Sequence, residues 1–252
     1  MKKIIFLLLF VITNTFSRGQ SDDAILIAAA SDLKFALDSV VTVFKKARPG
    51  ASIEVTYGSS GKLFEQISHT APFDLFFSAD IEYPLSLRKK GIAVSEIYTY
   101  GVGRIVIWSG VLDPNKGQIN SLQDKMVNKI AIANPQHAPY GRRAEEALKY
   151  YKVYEKVKSK LVYGENISQT AQFVTTGAAD TGIIALSLAL SPAMKKLNGH
   201  YYVIPENAHK PLEQGFVILK KAEQNPVAVA FKDFIMGTQA TKILDYFGFT
   251  KK

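Results

Sequence analysis

The chain has 252 residues, of which 47% are hydrophobic and 21% charged, a composition typical of a globular protein and too apolar for a disordered one. Its length allows one large domain or two domains of about 100–150 residues. Because the chain contains no Cys, it can hold no disulfide framework, thiolate zinc or iron–sulfur site, Cys nucleophile or lipid-modified cysteine.

The chain begins with the pattern of a secretory signal peptide. Lys2 and Lys3 precede nine apolar residues at 4–12, and small or polar residues follow as far as Gly19. The apolar run is too short to cross a bilayer, which takes about 20 residues, and the alternative is a buried N-terminal strand or helix. We assign 1–19 to the signal peptide. Its removal leaves 28 basic and 22 acidic residues, a net charge of +6, on a chain that we expect in the periplasm.

The remaining positive charge is scattered along the chain as short pairs. The pairs are Lys45-Lys46, Lys89-Lys90, Arg142-Arg143, Lys195-Lys196, Lys220-Lys221 and Lys251-Lys252. Such pairs are usually solvated surface, and they form no basic stripe with interleaved aromatic residues. We therefore expect no nucleic-acid partner, and we expect Arg142 and Arg143 to be surface charges screened by solvent.

Strand and helix patterns alternate after the signal peptide. In chain order, the strand patterns are 24–30, 53–57, 73–79, 104–108, 130–133, 181–185 and 215–219. Helical spacing of apolar residues recurs between them and continues to the C-terminus. This alternation predicts an α/β fold with mainly parallel sheets. Because the number of predicted strands is larger than a single sheet usually contains, we predict two α/β lobes. Extended strands connect the lobes and act as a hinge.

Four predicted helix starts share the chemistry of an anion site. They are Ala30-Ser31-Asp32, Gly58-Ser59-Ser60-Gly61, Ala138-Pro139-Tyr140-Gly141 and Glu165-Asn166-Ile167-Ser168. In a parallel sheet such starts lie together at the carboxyl edge of the strands. A helix N-terminus presents free N–H groups and a partial positive charge, which bind anions. One Ser at a helix start is usually only a cap; several such starts in one exported chain indicate a shared site.

Signatures of an enzyme are sparse. The sequence has no Gly-x-Ser-x-Gly elbow, no His-Glu-x-x-His and no Asp-rich calcium loop. The four histidines, at 69, 137, 200 and 209, lack the spacing of metal ligands. An exported serine hydrolase remains the catalytic alternative, with Ser60, His137 and an acid as its triad, because triads are recognised by geometry rather than by sequence.

Motifs along the whole chain resemble those of the periplasmic molybdate-binding proteins of ABC transporters. The matching segments are 28–31, 58–63 with 66–67, 71–80, 134–141, 164–167, 182–187 and 240–249. Together they cover about residues 21–250. The resemblance implies a type II periplasmic binding-protein fold, with 20–100 plus 205–252 as one lobe and 101–204 as the other. We expect the hinge crossings near 100–104 and 202–205.

The resemblance also implies the ligand and its contacts. The two lobes would close on molybdate or tungstate, held by hydroxyl and backbone N–H groups without a formal positive charge and without a cofactor or a directly bound metal cation. The first helix-start serine of the family corresponds to Ser31, and the second to Ser60, with Ser59 as the alternative. The contact of the Pro-x-Gly motif falls on Tyr140. The residue that binds through its backbone amide is Ile167. The implied partner is the membrane permease of an ABC transporter, and we expect a monomer.

One position departs from the family. Some members place a Tyr where this chain has Ala185, so Tyr140 would supply that hydroxyl, with Ser187 as a weaker substitute. Donors without Lys or Arg suit a fully ionised dianion, whereas hydrogen phosphate carries a proton and needs an acceptor. Asp32 could accept it, but we expect this residue to serve the helix dipole instead. A receptor for sulfate, thiosulfate or phosphate is therefore the alternative among binding proteins.

Overall fold

The computed structural model of the protein describes residues 24–250, and the predicted signal peptide at 1–19 lies outside them. The strands are β1 (Ala24–Ala30), β2 (Ser52–Gly58), β3 (Leu75–Ser78), β4 (Tyr98–Gly103), β5 (Ile105–Ser109), β6 (Ile130–Ala133), β7 (Leu161–Gly164), β8 (Thr181–Ala185), β9 (His200–Val203) and β10 (Leu212–Ile218). They form two five-stranded sheets, ordered β2-β1-β3-β10-β4 and β7-β6-β8-β5-β9.

Helices cover both faces of the first sheet and surround the second. The α-helices are α1 (Lys34–Ala47), α2 (Ser60–Ser68), α3 (Glu82–Lys89), α4 (Pro114–Gly117), α5 (Pro139–Tyr150), α6 (Tyr154–Val157), α7 (Ile167–Thr175), α8 (Leu186–Ala189), α9 (Pro192–Lys195), α10 (Pro226–Met236) and α11 (Thr238–Tyr246). The predicted two-lobed α/β architecture is confirmed. Within residues 24–250, none of these helices has the length and apolar character needed to cross a membrane.

Each sheet is mainly parallel, as predicted, and contains one strand that runs the opposite way. In the first sheet, β1 pairs in parallel with β2 and β3, whereas β10 is antiparallel to β3 and β4. The second sheet repeats this arrangement, because β6 is parallel to β7 and β8 and β5 is antiparallel to β8 and β9. The antiparallel strands β5 and β10 are the ones that the chain enters after crossing from the other lobe. A crossing strand does not arrive through a right-handed βαβ unit, so it is free to run the opposite way.

The chain crosses between the lobes twice. The first crossing is at Arg104, between β4 and β5, and the second lies between β9 and β10. An ion pair of 2.7 Å between Arg104 Nη1 and Glu206 Oε1 links the two crossing segments. Because β4 belongs to the first sheet as far as Gly103, that sheet extends beyond the lobe boundary that we placed after residue 100. The lobe boundaries stay a proposal.

Apolar cores pack on both faces of the first sheet and around the second sheet. On one face of the first sheet, α1 and α10 pack around aromatic rings: Phe77 stacks on Phe216 at 4.4 Å, and Phe44 meets Phe231 edge-on at 5.1 Å between centroids. The opposite face is covered by α2 and α3. Burying a Phe stabilises a fold by roughly 1.5–3 kcal/mol. Packing in these cores fixes the positions of the strand ends, and the polar helix starts follow directly after those ends.

Candidate functional site

The candidate site lies where helix starts from the two lobes meet. From the first lobe come a 3-10 turn at Ser31–Leu33, which directly follows β1, and the start of α2 after β2. From the second lobe come the starts of α5, α7 and α8, which follow β6, β7 and β8. All of these lie beyond the carboxyl ends of parallel strands, where α/β proteins bind ligands. The hydrogen bonds described below join them across the lobes.

Ser31 contacts the start of α7 through its backbone oxygen, which accepts from the Ser168 hydroxyl at 2.8 Å, and through two longer hydrogen bonds of its hydroxyl. Its hydroxyl donates to Asn166 Oδ1 at 3.2 Å and accepts from the Ser168 backbone N–H at 3.3 Å. Asn166 is also the N-cap of α7, because its side chain accepts from the Gln169 N–H. Ile167 lies between these contacts at the first position of the helix, where a backbone N–H has no acceptor within the helix. The structure thus brings Ser31 next to the turn that carries the Ile167 amide.

Ser60 presents a hydroxyl hydrogen at the start of α2. Its Oγ accepts from the Ala79 N–H at 3.0 Å, which occupies a lone pair and leaves the hydrogen of the same hydroxyl for a further acceptor. Ser59, the alternative, has a different environment, because its Oγ lies 2.9 Å from His137 Nδ1. The Gly61 N–H donates to the His137 carbonyl oxygen at 2.9 Å. The start of α2 therefore touches the second lobe directly. The Ser60 hydroxyl has its hydrogen available, whereas the direction of the Ser59 hydrogen bond depends on the tautomer of His137.

A polar cluster between the lobes contains Asp32, Tyr140, Gln214 and Tyr100, and we name it the Asp32 cluster. The Tyr140 hydroxyl donates to Asp32 Oδ2 at 2.9 Å, and Gln214 Nε2 lies 3.0 Å from both Asp32 Oδ2 and the Tyr140 oxygen. The Tyr100 hydroxyl donates to Gln214 Oε1 at 2.7 Å. Asp32 Oδ1 is buried without a hydrogen-bond partner among the described residues. Ser187, predicted as a substitute donor, instead donates to the backbone oxygen of Asp32 at 2.8 Å.

Burial dominates the protonation of this cluster. It raises the pKa of the Asp32 carboxyl to about 6, against the hydrogen bonds from Gln214 and Tyr140, which lower it. Burial also raises the pKa of Tyr140 well above its ordinary value, and the Asp32 charge adds to that effect. Tyr140 is therefore neutral, and it donates its single hydroxyl hydrogen to Asp32. The Asp32 carboxylate interacts with the backbone N–H groups of Asp32 and Leu33 at its own helix start, in agreement with the expected role at the helix dipole, and it also bridges the lobes through Tyr140.

Sequence reasoning missed Gln214 and Tyr100 in this cluster. Gln214 is fully buried within β10, where Glu213 and Gln214 interrupt the apolar residues of the strand and only Gln214 is buried. That interruption is the signal that could have drawn attention to it, because buried polar side chains require partners. Tyr100 carries no comparable signal, since aromatic residues are common in strands.

The expectation that Arg142 and Arg143 are screened surface charges is wrong. Arg142 Nη2 lies 2.8 Å from Asp80 Oδ2 across the lobes, and its other nitrogen donates to the Tyr83 hydroxyl at 3.1 Å. Arg143 is buried and pairs with Glu146 at 2.8 Å. These residues line a cavity of about 710 Å³ between the lobes. The arginines are therefore partnered by carboxylates and contribute to the contact between the lobes.

The structure does not assemble the predicted triad of Ser60 and His137. His137 contacts Ser59 instead, and the distance from His137 Nε2 to Glu165 Oε2 is 3.6 Å, longer than a hydrogen bond. Glu165 pairs more closely with Lys62, at 2.7 Å. Burial lowers the pKa of His137. Within residues 24–250, no group of three or more His, Asp or Glu side chains could hold a metal ion.

Known proteins are similar to this chain over most of its length. Residues 25–250 match the family of bacterial extracellular solute-binding proteins. The molybdate-binding protein ModA of Azotobacter vinelandii is 34% identical over 227 residues, which cover 88% of this chain and 88% of that protein. ModA of Rhodobacter capsulatus is 34% identical over 207 residues, covering 80% of this chain and 79% of that one. The solved structure of the periplasmic molybdate-binding protein of A. vinelandii matches with a TM-score of 0.83 at 29% identity, covering 90% of this chain and 99% of that one.

Proposed function

The chain belongs to the family of bacterial extracellular solute-binding proteins, and we propose that it captures molybdate or tungstate in the periplasm and delivers it to the membrane permease of an ABC transporter. The ligand is held between the lobes by Ser31, Ser60 and the Ile167 backbone amide, with Tyr140 as a further donor. The receptor acts as a monomer, reaches the periplasm through the signal peptide at 1–19, and catalyses no reaction.

The observation that carries this proposal is the meeting of hydroxyl and amide donors from both lobes at helix starts. Ser60 keeps a free hydroxyl hydrogen there, and the two contacts of the Ser31 hydroxyl, at 3.2 and 3.3 Å, are long enough to be replaced readily by a ligand. Helix N-termini add partial positive charge. The relatives that match most of the chain are named as molybdate-binding proteins, which agrees with this donor set.

A ligand without hydrogens fits these donors. Molybdate and tungstate are fully ionised tetrahedral dianions at neutral pH, so each oxygen accepts hydrogen bonds and none donates. Charge-assisted hydrogen bonds contribute roughly 1.5–3 kcal/mol each. Because donors lie on both lobes, the anion completes its contacts only when the lobes are closed, and binding therefore favours closure.

One observation favours a second candidate, a receptor for hydrogen phosphate. The buried Asp32 carboxylate lies next to the proposed donors and could accept the proton of that anion. Sulfate and thiosulfate have no proton to offer Asp32, so the cluster gives them no advantage over molybdate. The hydrolase alternative has no support from the position of His137, and turnover of simple esters by the purified chain would revive it.

Thermal unfolding in the presence of different oxyanions tests the proposal. Molybdate at ten times its Kd adds about 1.4 kcal/mol to the free energy of unfolding, because it binds only the folded chain. For a chain of this size we expect Tm to rise by about 3–6 °C, with a similar rise for tungstate and little change for phosphate at the same concentration. Equal shifts with molybdate, tungstate, sulfate and phosphate contradict the proposed specificity, and a rise with phosphate alone establishes the second candidate.

A further inference from the structure

The hydrogen bonds of the Asp32 cluster leave Tyr140 unable to donate to a ligand. A tyrosine hydroxyl has one hydrogen, and Tyr140 donates it to Asp32 Oδ2, with 2.9 Å between the two oxygens. The Tyr140 oxygen already accepts from Gln214 Nε2 at 3.0 Å. Tyr140 can therefore donate to an anion only after its bond to Asp32 is reversed or lost.

We propose that the cleft binds its dianion together with one proton, which Asp32 takes up from solvent. This inference rests on the proposed function and adds to it a positioning residue that acts through Tyr140. Protonated Asp32 donates its O–H to the Tyr140 oxygen, and Tyr140 turns its own hydrogen toward the anion. The Gln214 amide continues to donate within the cluster. One proton moves from solvent to a carboxylate oxygen, and no other bond is formed or broken.

Burial and charge both favour this uptake. Asp32 is only 1% exposed, and its Oδ1 has no hydrogen-bond partner among the described residues. An ionised carboxylate in this position would repel a dianion held by the neighbouring Ser31 and by Tyr140. The pKa of Asp32 is already raised to about 6 without the anion, and a nearby negative charge raises a carboxyl pKa further. Asp32 therefore passes from mostly ionised at pH 7–8 to protonated when the anion arrives.

Few other titratable groups face Asp32. The tyrosines of the cluster, Tyr100 on β4 and Tyr140 on α5, both have pKa values raised by burial and stay neutral. Helices α7 and α8, which pack against the turn that holds Asp32, contain no ionisable side chain. On α1, Lys34 pairs with Asp38 at 3.5 Å on the surface. On α5, Arg142 and Arg143 pair with Asp80 and Glu146.

Calorimetry of molybdate binding in buffers of different ionisation enthalpy measures the uptake directly. We expect close to one proton per molybdate at pH 7–8, falling toward none near pH 5. The Kd should be constant below the pKa of Asp32 in the free protein and should rise by up to tenfold per pH unit above about pH 6.

The variant Asp32→Asn mimics the protonated carboxyl, because its amide NH2 group can donate to the Tyr140 oxygen, but it cannot titrate. It should take up no proton, show no such pH dependence, and bind molybdate roughly 10- to 100-fold more tightly than the unmodified chain at pH 8, because the unmodified chain is then about two pH units above the pKa of Asp32. His137→Gln is the control, because an imidazole at these helix starts could also take up a proton near neutral pH, and this variant should retain the uptake.

Binding without proton uptake by the unmodified chain at pH 7–8 overturns this inference and leaves the proposed function intact. Uptake that persists in Asp32→Asn, or that disappears in His137→Gln, assigns the proton to another group and also overturns it. If neither the unmodified chain nor Asp32→Asn binds molybdate at any pH, both the inference and the proposed function fail. If Asp32→Asn does not fold, the absence of proton uptake by the unmodified chain still overturns the inference, and His137→Gln still tests the competing group.

Discussion

Ser60→Ala is expected to weaken molybdate binding by roughly 10- to 150-fold. The Ser60 hydroxyl is buried, and because its Oγ already accepts from the Ala79 N–H, its hydrogen is available to the anion. A charge-assisted hydrogen bond of this kind contributes roughly 1.5–3 kcal/mol, and 1.4 kcal/mol corresponds to tenfold in Kd. Titration calorimetry at one pH and one salt concentration measures the change.

Ser59→Ala is the matched control, because it removes a serine hydroxyl from the neighbouring position in the sequence. Ser59 caps α2 without a side-chain hydrogen bond, and its hydroxyl contacts His137 instead. Its loss should therefore leave the helix intact and weaken molybdate binding less than the loss of Ser60. A larger loss of affinity in Ser59→Ala than in Ser60→Ala contradicts the assignment of Ser60 as the donor.

Gly61→Ala is expected to weaken molybdate binding by roughly 10- to 100-fold without lowering the stability of the ligand-free chain. A Cβ at Gly61 would lie 2.6 Å from the His137 carbonyl oxygen, which belongs to the backbone of the other lobe, and 2.8 Å from the Tyr83 hydroxyl. Overpacking of this kind costs roughly 1–3 kcal/mol. The contact with the His137 backbone exists only in the closed form, whereas the Tyr83 hydroxyl, on the same lobe as Gly61, is the end of a side chain that can shift. In the first turn of α2, Ala is favoured over Gly by about 1 kcal/mol.

Small-angle scattering and calorimetry together check this expectation. The unmodified chain should become more compact on adding molybdate, whereas Gly61→Ala should compact less and bind more weakly. Gly50→Ala is the control, because a Cβ there meets no heavy atom within 4 Å. If Gly61→Ala binds and compacts like Gly50→Ala, direct contact of the lobes at the start of α2 is not required for binding.

Much of the fold could be predicted from local patterns. Buried strands such as β1 and β8 read as continuous apolar runs, and the helix starts that follow them carry recognisable polar residues. The strands that were missed, β4, β7 and β9, are all at sheet edges. An edge strand is covered less completely and tolerates polar and exposed residues, so its sequence carries no continuous apolar run.

The contacts between the lobes could not be predicted in the same way. Tyr140 and Gln214 lie 108 and 182 residues from Asp32, and Arg142 lies 62 residues from Asp80. Such pairs depend on how the two lobes meet, which no periodicity or spacing in the sequence records. Helix starts could be recognised as donors from their residue types. Whether a donor hydrogen is already engaged, as for Tyr140, depends on a partner from a distant segment.

A crystal structure of the chain with molybdate, with anomalous scattering recorded at the molybdenum absorption edge, tests the central claim most directly. The account predicts one anomalous peak per chain between the lobes, with oxygens of the anion within hydrogen-bonding distance of Ser31 Oγ, Ser60 Oγ and the Ile167 backbone nitrogen. A peak in the cavity lined by Arg142 and Arg143 instead, or no peak between the lobes, would contradict a site built from hydroxyl and amide donors at helix starts.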